Sequence, residues 1–214
     1  KPHIMRGVAR TVIGAIGDER THQSLETLTS WKQVESVMPV QKRYKLVSRE
    51  AHRTGSTIDV RGNIIGGKKV QIMAGPCSVE SEKQLLSTAR AVKKAGATIL
   101  RGGAFKPRTS PYEFQGLGER GLKLLAKARN ETGLAIITEL LSEDHAEMVA
   151  EYTDIIQIGT RNAQNFQLLI AAARTGKPIL LKRGLAMRIE EWMLAGEYIL
   201  ANENPNLMFC ERGI

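Results

Sequence analysis

Short apolar segments alternate with amphipathic segments from Val70 to the end of the 214-residue chain. Such alternation is typical of a parallel sheet covered by helices, so it predicts an α/β fold. The predicted strand–helix pairs are Val70–Ala74 with Glu82–Ala95, Thr98–Leu100 with Gly118–Asn130, Leu134–Thr138 with Glu143–Glu151, Ile155–Ile158 with Asn165–Arg174, and Ile179–Leu181 with Ile189–Asn202, followed by a last strand, Leu207–Cys210. We therefore expect about six of the eight units of a (β/α)8 TIM barrel, incomplete at its C-terminal end.

The residues before Val70 do not follow this pattern. Thr11–Ile16 and Val34–Val40 are predicted strands, and His22–Trp31 between them is a predicted helix, which together indicate a fragment of a small α/β sandwich. Thr57–Val60 and Lys69–Ile72 are separated by several glycines and predict a hairpin. The predicted domains are residues 1–50, a linker and hairpin over 51–69, and the barrel over 70–214.

Composition excludes several classes of protein. The chain has two cysteines, which is too few for a disulfide-stapled secreted scaffold, and it has no apolar run near the roughly 20 residues of a membrane helix. A net charge of +9 favours anionic partners, but 5% aromatic residues are too few for a base-stacking surface. We expect a soluble, cytoplasmic protein with no nucleic-acid or membrane partner.

Cations follow the predicted strands. The carboxyl ends of parallel strands meet at one edge of the sheet, so these side chains are expected to converge there. The basic residues at or near strand ends are Arg101, Lys106, Arg108, Arg161, Lys182, Arg183 and Arg212. Arg and Lys bind phosphate and carboxylate, so a small ligand with several anionic groups is predicted.

Two other residues at these ends leave alternatives open. Cys77 is either a small packed hydrophobe or a thiolate able to bind a metal. Glu139 either offsets the surrounding positive charge or handles protons in a reaction. Cys210 lies inside an apolar segment and is predicted to belong to the core.

The strand-end segments closely resemble one family. They read Gly75-Pro76-Cys77-Ser78, Leu100-Arg101-Gly102-Gly103, Lys106-Pro107-Arg108-Thr109-Ser110, Ile158-Gly159-Thr160-Arg161-Asn162, Leu181-Lys182-Arg183-Gly184 and Cys210-Glu211-Arg212-Gly213. In this order they resemble 3-deoxy-D-arabino-heptulosonate 7-phosphate (DAHP) synthase, in the type I beta form with an N-terminal ferredoxin-like, ACT-type regulatory domain. The resemblance covers the whole chain, including Thr11–Asp18 and Tyr44–Glu50. It implies a TIM barrel preceded by a small α+β ferredoxin-like domain.

The resemblance also implies an activity. The family is a transferase that condenses phosphoenolpyruvate with erythrose 4-phosphate, giving DAHP and phosphate in the first step of the shikimate pathway of aromatic amino acid biosynthesis. It implies a divalent metal, Mn²⁺ or similar, allosteric regulation with tyrosine or phenylalanine as effector, and a homotetramer.

Roles for individual residues follow from the resemblance alone. It implies that Arg101, Lys106, Arg161, Lys182 and Arg212 hold phosphoenolpyruvate, and that Arg108, Thr109 and Ser110 receive erythrose 4-phosphate. Lys106 would also act catalytically at the aldehyde oxygen, Glu139 would lie close to the reacting centre, and Cys77 would be a metal ligand. The family's other metal ligands, a His, a Glu and an Asp on its last two strands, are expected beyond Ile214.

Two alternative functions are kept. The sister enzyme, 3-deoxy-D-manno-octulosonate 8-phosphate synthase, uses arabinose 5-phosphate and usually carries Ala-Asn at the position of Pro107, so Pro107 favours the four-carbon sugar. The other alternative is a non-catalytic fragment that binds an aromatic amino acid.

Overall fold

The computed structural model describes residues 3–8, 10–14, 27–37, 43–49, 51 and 54–212. The chain forms two compact units, Lys1–Arg43 and Tyr44–Ile214. Within the described residues, no helix is both long and apolar enough to cross a bilayer. The predicted division at residues 50 and 69 stays a prediction.

The first unit contains an antiparallel hairpin. Strand β1, His3–Arg6, pairs with β2, Thr11–Gly14, so that Met5 lies opposite Val12. Strand β2 corresponds to the predicted strand Thr11–Ile16, whose last two residues lie outside the described part, whereas β1 was not predicted.

The rest of the first unit differs from the prediction where it is described. Of the predicted helix His22–Trp31, Thr27–Ser30 form a 3-10 turn, and residues 22–26 lie outside the described ranges. The strand predicted at Val34–Val40 is wrong over residues 34–37, because the Val34 N–H donates to the Trp31 carbonyl at 2.9 Å and closes a turn there. Residues 38–40 are outside the described part.

The second unit is built on a six-stranded parallel sheet. After a short hairpin of β3, Ile58–Val60, and β4, Asn63–Ile65, its strands are β5 Met73–Ala74, β6 Ile99–Arg101, β7 Ala135–Leu140, β8 Ile155–Ile158, β9 Ile179–Lys182 and β10 Leu207–Cys210. Neighbours in the sheet follow chain order from β5 to β10. The connecting helices are α1 Glu82–Lys94, α2 Glu119–Thr132, α3 Ala146–Tyr152, α4 Phe166–Arg174 and α5 Ile189–Ala201. Every predicted strand and helix from Val70 onward is therefore present, with ends shifted by a few residues.

Local signals define several helix ends. The Ser81 hydroxyl accepts the Gln84 N–H at 3.2 Å and caps α1, and the Asn165 side chain caps α4 by accepting the Leu168 N–H at 3.3 Å. Helix α2 ends at Gly133, whose φ of 73° is the left-handed conformation that glycine adopts without strain. These ends fix how each helix returns the chain to the next strand.

The two faces of the sheet are buried by different elements. Leu100, Ile136 and Ile156 pack in the cluster that also contains the buried helix residues. Their strand neighbours Ile99 and Ile137 lie on the other face, in a cluster with the β3–β4 hairpin. Since successive side chains of a strand point to opposite faces, this assignment shows which face each residue of these strands points to.

The β3–β4 hairpin corrects one prediction. Its turn is Arg61-Gly62, both with positive φ (53° and 82°), and the Asp59 carboxylate accepts the Gly62 N–H at 2.7 Å. This two-residue turn pairs Val60 with Asn63, so the predicted second strand at Lys69–Ile72 is wrong. The chain therefore reverses at Gly62, and Gly66 and Gly67 are not part of this turn.

A carboxylate of α5 holds the segment that begins the second unit. Glu197 Oε1 accepts the backbone N–H groups of Lys45 and Leu46, both at 2.7 Å, and Oε2 accepts that of Val47 at 3.1 Å. Three charge-assisted hydrogen bonds on one carboxylate fix residues 45–47 on this helix.

Candidate functional site

A cavity of about 250 Å³ opens at the carboxyl ends of the strands. Its lining is dominated by charged side chains. The lining residues are Cys77, Arg101, Lys106, Pro107, Arg108, Glu139, Gly159, Thr160, Arg161, Lys182 and Arg212.

The strands place three of these side chains on one face. Arg101, Glu139 and Lys182 each lie two residues after an apolar residue of the hairpin-side cluster, namely Ile99, Ile137 and Leu180. Residues two apart on a strand share a face, so the charged groups lie above the apolar ones on the same side of the sheet. The strand pairing, with Arg101 beside Ile137 and Glu139 beside Gln157, aligns these ends at one edge.

Lys106 reaches the cavity from the loop after β6. The loop is closed by an isolated bridge between Phe105 and Gly116, and the Lys106 N–H donates to the Gln115 carbonyl at 2.9 Å. Lys106 is 7% exposed, and its Nζ donates to the Cys77 carbonyl at 2.9 Å and contacts Cys77 Sγ at 3.4 Å. The ammonium is therefore held beside the thiol at the edge of the cavity.

The Cys77 thiol is shifted toward its thiolate. Burial raises the pKa of the thiol, but the hydrogen bond and charge of Lys106, together with the charge of Arg101, outweigh burial and leave the pKa below its ordinary value of 9.0. A thiolate beside cations is the form that reacts and binds metals. The interpretation of Cys77 as a packed hydrophobe is not supported, since the residue is exposed.

Glu139 is the one carboxyl among the described residues that line the cavity. Burial raises the pKa of Glu139 above its ordinary value, although Lys106, Lys182, Arg101 and Arg161 each lower it. A carboxyl with a raised pKa accepts a proton more readily than an ordinary one, which suits it to proton transfer.

A glycine gives this carboxylate its place. A Cβ at Gly159 would lie 1.8 Å from Glu139 Oε1 and 2.8 Å from its Cδ. The missing side chain at the end of β8 therefore provides the space that the Glu139 carboxylate occupies.

Arg212 is fixed at both ends. Its Nη1 donates to Thr160 Oγ1 at 2.8 Å, and its backbone N–H donates to Glu211 Oε1 at 2.9 Å. Arg212 follows β10 by two residues, so these bonds direct an exposed residue of the last loop into the cavity.

The loop predicted to receive the second substrate is placed only in part at the cavity. Arg108 lines it, while its Nε donates to the Phe114 carbonyl at 3.1 Å. Thr109 and Ser110 are not among the described lining residues, and the Ser110 hydroxyl accepts the Tyr112 N–H at 3.3 Å. Gly159 and Thr160 also line the cavity, although the sequence predicted no role for them. Both directly follow the buried strand β8, and this position could have indicated that they lie at the cavity.

The described residues do not form a complete metal site. Among them, no group of three or more His, Cys, Asp or Glu side chains could hold a metal ion. The Cys77 thiolate has the chemistry of one ligand, but it does not form a complete set with the described residues, so we derive no step through a metal.

Two family models match the chain. Residues 45–214 match the model of the DAHP synthetase I family, and residues 1–42 match the DAHP synthase ferredoxin-like domain. The chain belongs to the DAHP synthetase I family. This confirms the predicted family and the predicted fold class, a barrel-type α/β domain preceded by a ferredoxin-like domain.

Individual proteins are similar over much of the chain. The phospho-2-dehydro-3-deoxyheptonate aldolase of Thermotoga maritima is 52% identical over 100% of the chain and 63% of that protein. A 2-dehydro-3-deoxyphosphooctonate aldolase of Caulobacter vibrioides is 34% identical over 75% of the chain and 57% of that protein. The crystal structure of the Thermotoga maritima DAHP synthase matches with a TM-score of 0.80 at 51% identity, covering 100% of this chain and 62% of that one. The chain thus spans about three fifths of the length of these curated relatives.

Proposed function

We propose that the protein condenses phosphoenolpyruvate with erythrose 4-phosphate to give DAHP and phosphate. The observation that carries this proposal is the convergence of six cations on one cavity of about 250 Å³ that contains a single carboxyl among its described lining residues. The cations are Arg101, Lys106, Arg108, Arg161, Lys182 and Arg212. Cations brought this close repel one another, so a small ligand with several anionic groups is the partner that stabilises them.

The arginines and Lys182 would bind and orient the anionic groups. Arg161 and Arg212 would hold phosphate or carboxylate through paired N–H groups, and Lys182 would add a point charge. Fixing phosphoenolpyruvate in this way directs its C3 at the aldehyde carbon of the sugar, a positioning contribution to the rate.

Lys106 and Glu139 would act on protons. When C3 attacks, the aldehyde oxygen gains charge, and Lys106 Nζ would donate a hydrogen bond and then a proton to it. Water adds to C2 of the former enolpyruvate, and the Glu139 carboxylate would accept the proton that this water loses. The C2–O bond to phosphate then breaks, so one water is consumed and one phosphate released.

We propose Cys77 as the ligand that the described residues offer to a divalent metal such as Mn²⁺. A bound divalent cation would supply Lewis-acid polarisation of the aldehyde. The thiolate character of Cys77 beside Lys106 and Arg101 supports this assignment.

The remaining parts of the function are also proposed. The four-carbon sugar is favoured over arabinose 5-phosphate by Pro107 and by the higher identity to the heptonate aldolase than to the octonate aldolase, 52% against 34%. Regulation by tyrosine or phenylalanine is supported by the ferredoxin-like domain at residues 1–42. A homotetramer and a cytoplasmic location remain predictions.

Consumption of phosphoenolpyruvate by the purified protein tests the proposal. It is measured with erythrose 4-phosphate and with arabinose 5-phosphate, each with and without a chelator, and DAHP formation is followed in parallel. We expect consumption with the four-carbon sugar that the chelator abolishes. Preference for the five-carbon sugar would contradict the use of Pro107, and binding of tyrosine without any consumption would favour the non-catalytic alternative.

A pair of lysine substitutions makes the test specific to the cavity. Lys182→Met is expected to lower kcat/KM about 10- to 100-fold, because a charge-assisted contact worth roughly 1.5–3 kcal/mol is lost. Lys94→Met removes an exposed lysine of α1 that does not line the cavity and should leave kcat/KM unchanged. Equal effects of the two substitutions would show that overall charge, and not this cavity, matters.

A further inference from the structure

Two cations stand side by side at the end of β9, but only one of them lines the cavity. Lys182 contributes to the lining, whereas Arg183 does not. The Arg183 side chain is nevertheless only 16% exposed. A guanidinium that is largely buried and does not line the cavity must satisfy its donors elsewhere.

The donors of Arg183 bind the segment after β10. Its Nε donates to Glu211 Oε1 at 2.6 Å and to the Arg212 carbonyl at 3.0 Å. Its Nη1 donates to the Met187 carbonyl at 2.8 Å, and its backbone N–H donates to the Cys210 carbonyl at 3.1 Å. The guanidinium thus connects the β9–α5 loop to residues 211–212.

The same carboxylate oxygen continues the connection to Arg212. Glu211 Oε1 accepts both the Arg183 Nε–H and the Arg212 backbone N–H. Glu211 itself is exposed, so Arg183 is the element of this set that is buried in the fold. The position of the Arg212 backbone therefore depends on Arg183, while Thr160 fixes the tip of its side chain.

We propose that Arg183 is a positioning residue that sets Arg212 in the anion cavity. This rests on the proposed function, in which Arg212 binds phosphoenolpyruvate. The role needs the planar guanidinium, since its donors reach a carboxylate and two carbonyls in different directions. A lysine would keep the positive charge but could not make these bonds together.

A double-mutant cycle with Arg212 tests the proposal. The dissociation constant of phosphoenolpyruvate is measured by calorimetry for the wild type, Arg183→Met, Arg183→Lys, Arg212→Met and the double variant Arg183→Met/Arg212→Met. Each Arg183 substitution is expected to weaken binding about tenfold, equal to about 1.4 kcal/mol, and to raise KM more than it lowers kcat. In the Arg212→Met background the Arg183→Met substitution should add almost nothing.

Two further variants separate positioning from folding. Glu211→Gln changes an exposed residue, so it should keep the fold while weakening the same connection and showing the same dependence on Arg212. Arg188→Met removes an exposed arginine of the same loop, whose ion pair with Glu191 is 3.0 Å, and should leave binding unchanged.

Each result has one meaning. Full recovery of binding in Arg183→Lys would overturn the proposal, because charge alone would then suffice. An undiminished effect of Arg183→Met when Arg212 is already Met would overturn it as well. Absence of both binding and turnover in the wild type would instead refute the proposed function on which this inference rests, whereas normal wild-type binding with unaffected Arg183 variants refutes the positioning role alone.

Discussion

Substitution of Gly159 by alanine should inactivate the site through Glu139. The ideal Cβ at Gly159 would lie 1.8 Å from Glu139 Oε1, where an ordinary contact is 3.4 Å or more. Gly159 has φ −74° and ψ 162°, an extended conformation that alanine adopts freely. Backbone strain is therefore absent, and the three atoms nearest to the new methyl group all belong to the Glu139 side chain.

The size of the effect follows from this geometry. Oε1 would have to retreat by about 1.6 Å to reach an ordinary contact. A flexible side chain achieves this by leaving its preferred rotamer, at a cost of about 0.5–1.5 kcal/mol in the free energy of unfolding. Displacement of a reacting group by about 1 Å can lower the rate about 100-fold, equal to about 2.7 kcal/mol in the activation free energy. Activity should thus fall much further than stability.

Kinetics and urea unfolding of four proteins check this reasoning. They are the wild type, Gly159→Ala, Glu139→Ala and the double variant, with Gly55→Ala as control because its Cβ would meet no atom within 4 Å. Once Glu139 is Ala, the Gly159 substitution should cost little further activity. An equally large loss in that background would refute the reasoning, since Gly159 would then act without Glu139.

Three other predictions concern single groups. Burial raises the pKa of Glu139 above its ordinary value of 4.5. The stability that Glu139 contributes is therefore present below pH 4.5 and is lost as the pH rises through the folded-state pKa. In urea titrations at successive pH values, the free energy of unfolding of the wild type relative to Glu139→Gln should decline over that range. The rate at which iodoacetamide alkylates Cys77 at pH 7, measured by mass spectrometry, should fall in Lys106→Met. Without the Lys106 ammonium, burial raises the pKa of the Cys77 thiol with less opposition, so less of the thiol is ionised. Glu197→Ala should speed proteolytic cleavage at residues 45–47 and lower the free energy of unfolding by roughly 1.5–3 kcal/mol, because three hydrogen bonds are lost. Glu197→Gln keeps one acceptor oxygen, so its cleavage rate and stability should lie between those of Glu197→Ala and the wild type.

The repeating part of the fold was predictable because its signal is redundant. Ile155–Ile158 and Ile179–Lys182 are each short apolar strands followed by a helix, and the predicted ends of these strands and helices agree with the structure within a residue or two. The hairpin was predicted with the wrong partner, because several glycines could form the turn and only the pairing of Val60 with Asn63 selects one. Several turns are compatible with the local sequence, and the packing of Ile58 and Val60 against the sheet, which selects one of them, cannot be read from that sequence.

The site was predictable to the extent that it follows from strand direction. Parallel strands bring their ends together, so Arg101 and Lys182 could be placed at one cavity from position alone. The same rule could not separate Lys182 from Arg183, since adjacent residues differ in where their donors point and not in charge. The role of Gly159 could not be predicted from the sequence either, because it depends on the Glu139 carboxylate occupying the space that a side chain at Gly159 would fill.

Glycines at the rim account for how opposite charges can be buried so near one another. At Gly103 an ideal Cβ would lie 2.9 Å from Lys106 Cδ and 3.0 Å from its Nζ, much as one at Gly159 would overlap Glu139. Each missing methyl lets a charged side chain withdraw against the backbone, which removes it from water. For Glu139 that withdrawal outweighs four neighbouring cations and raises the pKa. The positions of Lys106 and Glu139 in this cavity therefore depend on two residues that carry no side chain, Gly103 and Gly159.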